Sequence, residues 1–211
     1  MSIKEKSELL KTLKNNSQKL LPAIEETVNF LLQTFGEPLD IRKASPHDYL
    51  PLSEILLTTK EAMTDDLKKA SNENTWFTLA SLALELVSFD EAEFYAKIAL
   101  LHNENNEKAW YIVGKTEERK GNLEEAENVL RKAITLNKDY YQAWIQLGGV
   151  LEKKNLQEAE THYLEIVELF PRSMTGWKRL EEVGSKLGHY EIAQKAQKIS
   201  FDLSNDFQRK I

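Results

Sequence analysis

The chain has 211 residues, 41% hydrophobic and 29% charged, with a formal net charge of −6; that is length for one ordinary domain or one short array of repeats, and composition for a helical core. The acidic balance argues against nucleic acid, whose phosphates reward clustered Lys and Arg. With no cysteine there is no disulfide framework or thiolate metal site; the polar stretch from Met1 to Glu8 has no secretory apolar core and no run of ~20 apolar residues predicts a membrane span, so a soluble cytoplasmic protein is expected.

Ile3 to about Lys14 predicts a short amphipathic helix with Leu9, Leu10 and Leu13 as its apolar stripe, broken by Asn15, Asn16 and Ser17. A second helix is expected from near Leu21, with Pro22 tolerated in its first turn. Ile24, Val28, Leu31, Leu32 and Phe35 give it a wide apolar face, and Gly36, Glu37 and Pro38 stop it. Residues 36–50 read as a loop. A third helix is expected from Pro51 to about Ala70, with Ile55, Leu56, Met63 and Leu67 apolar; Ser71 to Asn74 follow as a break. Short isolated helices are marginal in water, so these faces need a partner. Two readings of residues 1–70 stay open: a cap that covers the open end of the array that follows, with Ile24, Val28, Leu31 and Phe35 as its contact face, or a separate functional bundle. The absence of a flexible Gly/Ser tract favours the cap.

From Glu73 a register takes over. Trp76, Trp110, Trp144 and Trp177 are separated by 34, 34 and 33 residues (110 − 76, 144 − 110, 177 − 144). Each opens an amphipathic helix, and each second helix carries an Ala: Ala92, Ala126, Ala159, Ala193. Leu79, Val113, Leu147 and Leu180 align, as do Gly114 and Gly148. Within 107–139, two helical patterns meet at Gly121, which suits the positive φ of a helix end. Asn122 suits the next helix start, with Glu125 placed to close a capping box; Ser88 with Glu91 and Asn155 with Glu158 repeat that spacing. The shorter third spacing arises because Lys154-Asn155 lacks the Gly of Lys120-Gly121-Asn122.

Trp, Gly, Ala and Ala in this order at this period resemble the tetratricopeptide repeat, over about two thirds of the chain. The departures are Ala80 and Glu181 at the first-helix Gly, Ala83, Glu117, Leu151 and Gly184 where the family has an aromatic, and a closing Pro only at Pro171. The resemblance implies an all-α, right-handed solenoid of four repeats, at about 73–106, 107–140, 141–173 and 174–203, followed by a C-terminal capping helix or tail to 211. Phe201, Leu203, Phe207 and Ile211 give that tail a ragged apolar spacing, with a dimer contact as the alternative to a cap.

In that family the first helices line a concave groove for an extended peptide or a partner helix. Its groove places carry over to Asn74, Phe77, Thr78 and Ser81; Lys108, Tyr111, Ile112 and Lys115; Gln142, Ile145, Gln146 and Gly149; and Thr175, Lys178, Arg179 and Glu182. The candidate partner-binding residues are therefore Phe77, Lys108, Tyr111, Ile112, Lys115, Gln142, Ile145, Lys178 and Arg179. They make an apolar groove that turns cationic, for a protein or peptide partner with an apolar anchor and acidic flanks. Arg179 alone fits the carboxylate clamp by which some members hold chaperone C-termini, so that specificity is not expected.

No Gly-rich phosphate loop and no Gly-x-Ser-x-Gly elbow is present. His47, His102, His162 and His189 lie far apart without carboxylates at ligand spacing, and the acidic pairs read as solvated helix faces. The expectation is a non-enzymatic scaffold, adaptor or assembly chaperone, monomeric or weakly dimeric, without cofactor or metal. The alternatives are a peptide-sensing regulator with the N-terminal bundle as output, and an enzyme whose site no motif marks.

Overall fold

The computed structural model of the protein describes residues 1–36, 39–64, 68 and 73–208. Among them are eleven α-helices, two short 3-10 turns and no strand: α1 Ile3–Leu13, α2 Ser17–Phe35, α3 Tyr49–Glu61, α4 Glu73–Glu85, α5 Phe89–His102, α6 Glu107–Lys120, α7 Leu123–Leu136, α8 Tyr141–Lys154, α9 Leu156–Leu169, α10 Met174–Leu187 and α11 Tyr190–Gln208. No described helix is long and apolar enough to cross a membrane. Leu67, Ala70 and the break at Ser71, together with Glu37, Pro38, Ile211 and the Phe207 side chain, fall outside the described residues. The helices group into two compact units, Met1–Arg119 and the part from Lys120 onward.

In the first unit, α1 buries Ile3, Lys6, Ser7 and Leu10, a face set slightly off the expected Leu9, Leu10, Leu13 stripe. The buried Lys6 ammonium pairs with Glu26 and lies 5.9 Å from the Phe30 ring centroid, as a buried cation must have partners. α2 begins at Ser17 rather than near Leu21, because the Asn16 side chain accepts from the Lys19 amide at 3.3 Å; Pro22 is thus inside the helix. Gly36 ends it with φ 89.

Ile24, Val28, Leu31 and Phe35 of α2 are all buried. α2 packs on α4, and α3 packs on both α4 and α5. The Tyr95 hydroxyl of α5 donates to the Leu56 carbonyl of α3 at 2.6 Å, and Lys60 of α3 meets Glu91 at 2.9 Å. Trp76 and Tyr95 stack in this core, their rings 6° from parallel.

In the second unit, α7 packs on α8, α8 on α9, α9 on α10 and α10 on α11, and the first helices α8 and α10 also touch. Lys154 at the end of α8 reaches Glu127 of α7 at 2.7 Å. Asn155 caps α9 through its side chain, accepting from the Gln157 amide at 3.0 Å. Asn122 and Ser88 hold the same cap position without a side-chain capping bond, so of the three expected caps only Asn155 forms one.

The tryptophan register has a local cause. The Nε1–H groups of Trp110, Trp144 and Trp177 donate to the carbonyls of Glu104, Lys138 and Pro171, at 2.8, 2.8 and 2.9 Å. In each case the acceptor lies six residues back, in the inter-repeat turn. Each Trp thus latches its own helix to the turn that precedes it. Trp76 is fully buried, whereas the other three are half-buried.

Candidate functional site

The candidate surface is the set of first-helix side chains that do not enter the core, and it is described for each unit separately. On α4 the buried residues run from Thr75 to Ala83, and Thr78 is among them; Asn74 is exposed, while Phe77 and Ser81 are half-buried. On α6 the buried stripe is Ala109, Ile112, Val113 and Thr116, with Gly114 and Glu117 beside it. Ile112 is only 3% exposed, which corrects its placement as a groove residue. It lies three residues after Ala109 and four before Thr116, on the buried side of a 3.6-residue helix. Lys108 is exposed, and Tyr111 and Lys115 are half-buried. The Lys115 ammonium lies 5.9 Å from the Tyr111 ring centroid, within cation–π range. Burial raises the Tyr111 phenol pKa, with Glu118 and Glu85 adding to it.

On the second unit, Gln142 of α8 is exposed and Ile145, Gln146 and Gly149 are half-buried. On α10, Thr175, Lys178 and Arg179 are exposed and Glu182 is half-buried. The two cations differ. The Arg179 guanidinium sits 3.1 Å from Glu182 and 3.9 Å from Glu152, whereas Lys178 has no ion pair among the described residues.

Glu152 also accepts the Tyr163 hydroxyl at 2.7 Å and lies 3.8 Å from Lys186. Burial holds the Tyr163 phenol far above its ordinary range, so the hydroxyl keeps the proton it donates. Sequence spacing does not single out Tyr163 or Lys186. A signal exists for Glu152, which follows Ile145 and Gly149 at steps of four and three on one helix face.

No described group of three His, Cys, Asp or Glu residues could hold a metal ion. His162 is buried against Trp144, its Nε2 2.9 Å from the Trp144 carbonyl. His102 Nε2 lies 2.5 Å from the Lys68 carbonyl. His189 Nδ1 sits 2.8 Å from a carboxylate oxygen of Glu160, a pairing across 29 residues that sequence spacing does not show.

A tetratricopeptide repeat model matches residues 107–150. No curated protein matches the chain in sequence. Among solved structures, MamA is similar at 18% identity with a TM-score of 0.67, over 88% of this chain and 96% of that one. YrrB, described as a TPR protein with an unusual peptide-binding site, is similar at 16% identity with a TM-score of 0.64, over 95% of this chain and 97% of that one. The matched repeat lies within the chain's 34-residue register, and the helix-pair packing gives the chain the all-α fold of the solved tetratricopeptide-repeat structure.

Proposed function

We propose that this chain is a non-enzymatic protein-interaction module, a scaffold, adaptor or assembly chaperone that receives a partner peptide or helix on its first-helix faces. The observation that carries this reading is the character of those faces. On the first unit Phe77 and Tyr111 keep part of their apolar surface in water, with Lys108 and Lys115 on the same helix as Tyr111; on the second unit Ile145 does so with Gln142 on the same helix, and Lys178 and Arg179 are exposed on α10. Side chains of this kind grouped on one type of helix face mark interaction sites more often than bare surface. The solved structure of YrrB, with its peptide-binding site, supports the same use of the fold.

The partner would offer an apolar anchor with acidic flanks. Lys178 is the better reader of an acidic flank than Arg179, whose charge Glu182 and Glu152 already answer. Such charges mainly raise association rate and specificity, and weaken with salt; truncating an aromatic anchor at a true hot spot costs ~2 kcal/mol or more. The three N-terminal helices serve as the cap of this module, a reading supported by the Tyr95–Leu56 bond and the Lys60–Glu91 ion pair.

The test is affinity purification with mass spectrometry from the native cell, using the parent chain and the variants Tyr111→Ala and Lys178→Glu. A partner held by the parent and lost from both variants, at unchanged melting temperature, supports the reading. Equal recovery by all three chains rejects it.

A further inference from the structure

The hairpin α10–α11 carries an open cleft of about 570 Å³ between its two helices. Its place in the repeat pattern says what such a cleft receives. One repeat earlier, the equivalent slot on α8 and α9 is filled by α10. There the Tyr141 hydroxyl meets the Ser173 hydroxyl at 2.7 Å, and Gly176 lies so close that an added Cβ would come 2.9 Å from Ile166.

Shifting by the register (33 on the first helix, 34 on the second) turns Tyr141, Ile145 and Gly148 into Met174, Lys178 and Glu181. The same shift turns Ile166 and Val167 into Ser200 and Phe201. Apolar groups therefore persist at two places, Met174 and Phe201, which are 44% and 64% exposed. Between them the slot has become polar and carries both signs of charge. Among the described residues neither Lys178 nor Glu181 has an ion pair.

We propose that this cleft is a two-fold interface between copies of this chain, each copy laying its α10–α11 hairpin against the other's. The argument is charge self-complementarity. An isologous interface puts the same patch on both sides, so a residue i that meets j is matched by j meeting i. Two antiparallel α10 helices with the axis between residues 179 and 180 set Lys178 opposite Glu181 twice over. A slot of balanced charge suits its own copy better than a strongly acidic or basic partner. The Phe201 and Met174 side chains then leave water beside the paired charges, where large apolar groups supply affinity.

The experiment is sedimentation velocity with light scattering on the full chain, from low micromolar to submillimolar concentration and with no other protein present. The parent is expected to show a reversible monomer–dimer equilibrium. Phe201→Glu weakens it roughly tenfold or more. Lys178→Glu and Glu181→Lys each weaken self-association; mixing these two variants restores a dimer, and the double swap in one chain restores it too. Lys178 and Phe201 are exposed and Glu181 is half-buried, and far-UV circular dichroism checks that each variant keeps its helices. A parent monomeric at every concentration overturns the proposal, as does a dimer indifferent to Phe201→Glu. A dimer that Phe201→Glu breaks but that the charge variants leave untouched overturns the two-fold pairing. Lys178 serves both readings, so the partner-binding reading is judged separately by the Tyr111→Ala arm of the purification, which leaves this cleft unchanged.

Discussion

A Cβ built on Gly148 would lie 2.6 Å from the ring of Tyr163. α8 and α9 approach closely at that point, and the fully buried Tyr163 ring has no room to withdraw. Its hydroxyl is also tied to Glu152, which feeds this packing contact into the candidate surface. Gly148→Ala should therefore destabilise the second unit by about 1–3 kcal/mol, the usual cost of overpacking, despite the better helix propensity of Ala. At the neighbouring Gly149 an added Cβ would meet nothing within 4 Å, so Gly149→Ala should stabilise by about 0.5–1 kcal/mol. Thermal melts of the two variants should shift in opposite directions; equal shifts would disprove the α8–α9 register.

Val87 has φ 61, the left-handed conformation that a β-branched residue adopts with most strain. It occupies the turn after α4 in the place that Gly188 takes after α10. In both turns the next amide reaches back five residues: Ser88 to the Ala83 carbonyl, and His189 to the Gly184 carbonyl, each at 2.8 Å. The side chain is 65% exposed, so no packing compensates for the backbone. Val87→Gly is expected to raise stability by about 1 kcal/mol. Denaturant melts check it, and a lower midpoint would mean that the Val side chain contributes more than its exposure shows.

The period is legible because each Trp, each small residue and each Ala recurs at one spacing, and tertiary packing here repeats with the chain. Ala126 and Ala159 are buried as that register requires, and Ala126→Leu should cost about 1–3 kcal/mol. What does not show in the sequence are features that leave no periodic trace. The α2 start depends on one side-chain bond from Asn16, and Pro22 disguises it. Ile112 reads outward when positions are counted from Trp110, although the buried stripe is centred on Ala109 and Val113. Glu152 and the Glu160–His189 pair stay hidden because contacts between repeats join residues far apart in sequence.

The indole latch predicts a graded loss. Trp144→Phe keeps the ring but removes the donor to the Lys138 carbonyl. An exposed bond of this kind contributes about 0.5–1.5 kcal/mol, and the turn carbonyl can turn to water instead. Trp144→Phe should therefore lower stability modestly and raise hydrogen exchange in the turn at Asn137 to Tyr140. Unchanged exchange there would show that the latch does not hold the turn.

His162 makes the second unit sensitive to acid. Its ring stacks on Trp144, with centroids 5.2 Å apart and planes 17° from parallel. A carbonyl oxygen only accepts, so the Nε2 facing the Trp144 carbonyl carries the proton of a neutral imidazole. Burial holds the His162 pKa below its ordinary value, against the opposing pull of the Trp144 carbonyl and of Glu165. The unfolded chain therefore binds a proton at higher pH than the folded one does. By linkage, the stability due to neutral His162 is fully present above the ordinary histidine pKa of about 6.5 and is lost as pH falls below it toward the folded value. His162→Phe keeps a ring on Trp144 and removes the titrating group. The melting temperature of the parent should drop more than that of His162→Phe between about pH 7.5 and about pH 5. Because His189 and Glu160 are unchanged in both chains, the difference between the two drops isolates His162. Parallel pH profiles would show that His162 accepts its second proton in the folded chain as readily as in the unfolded one.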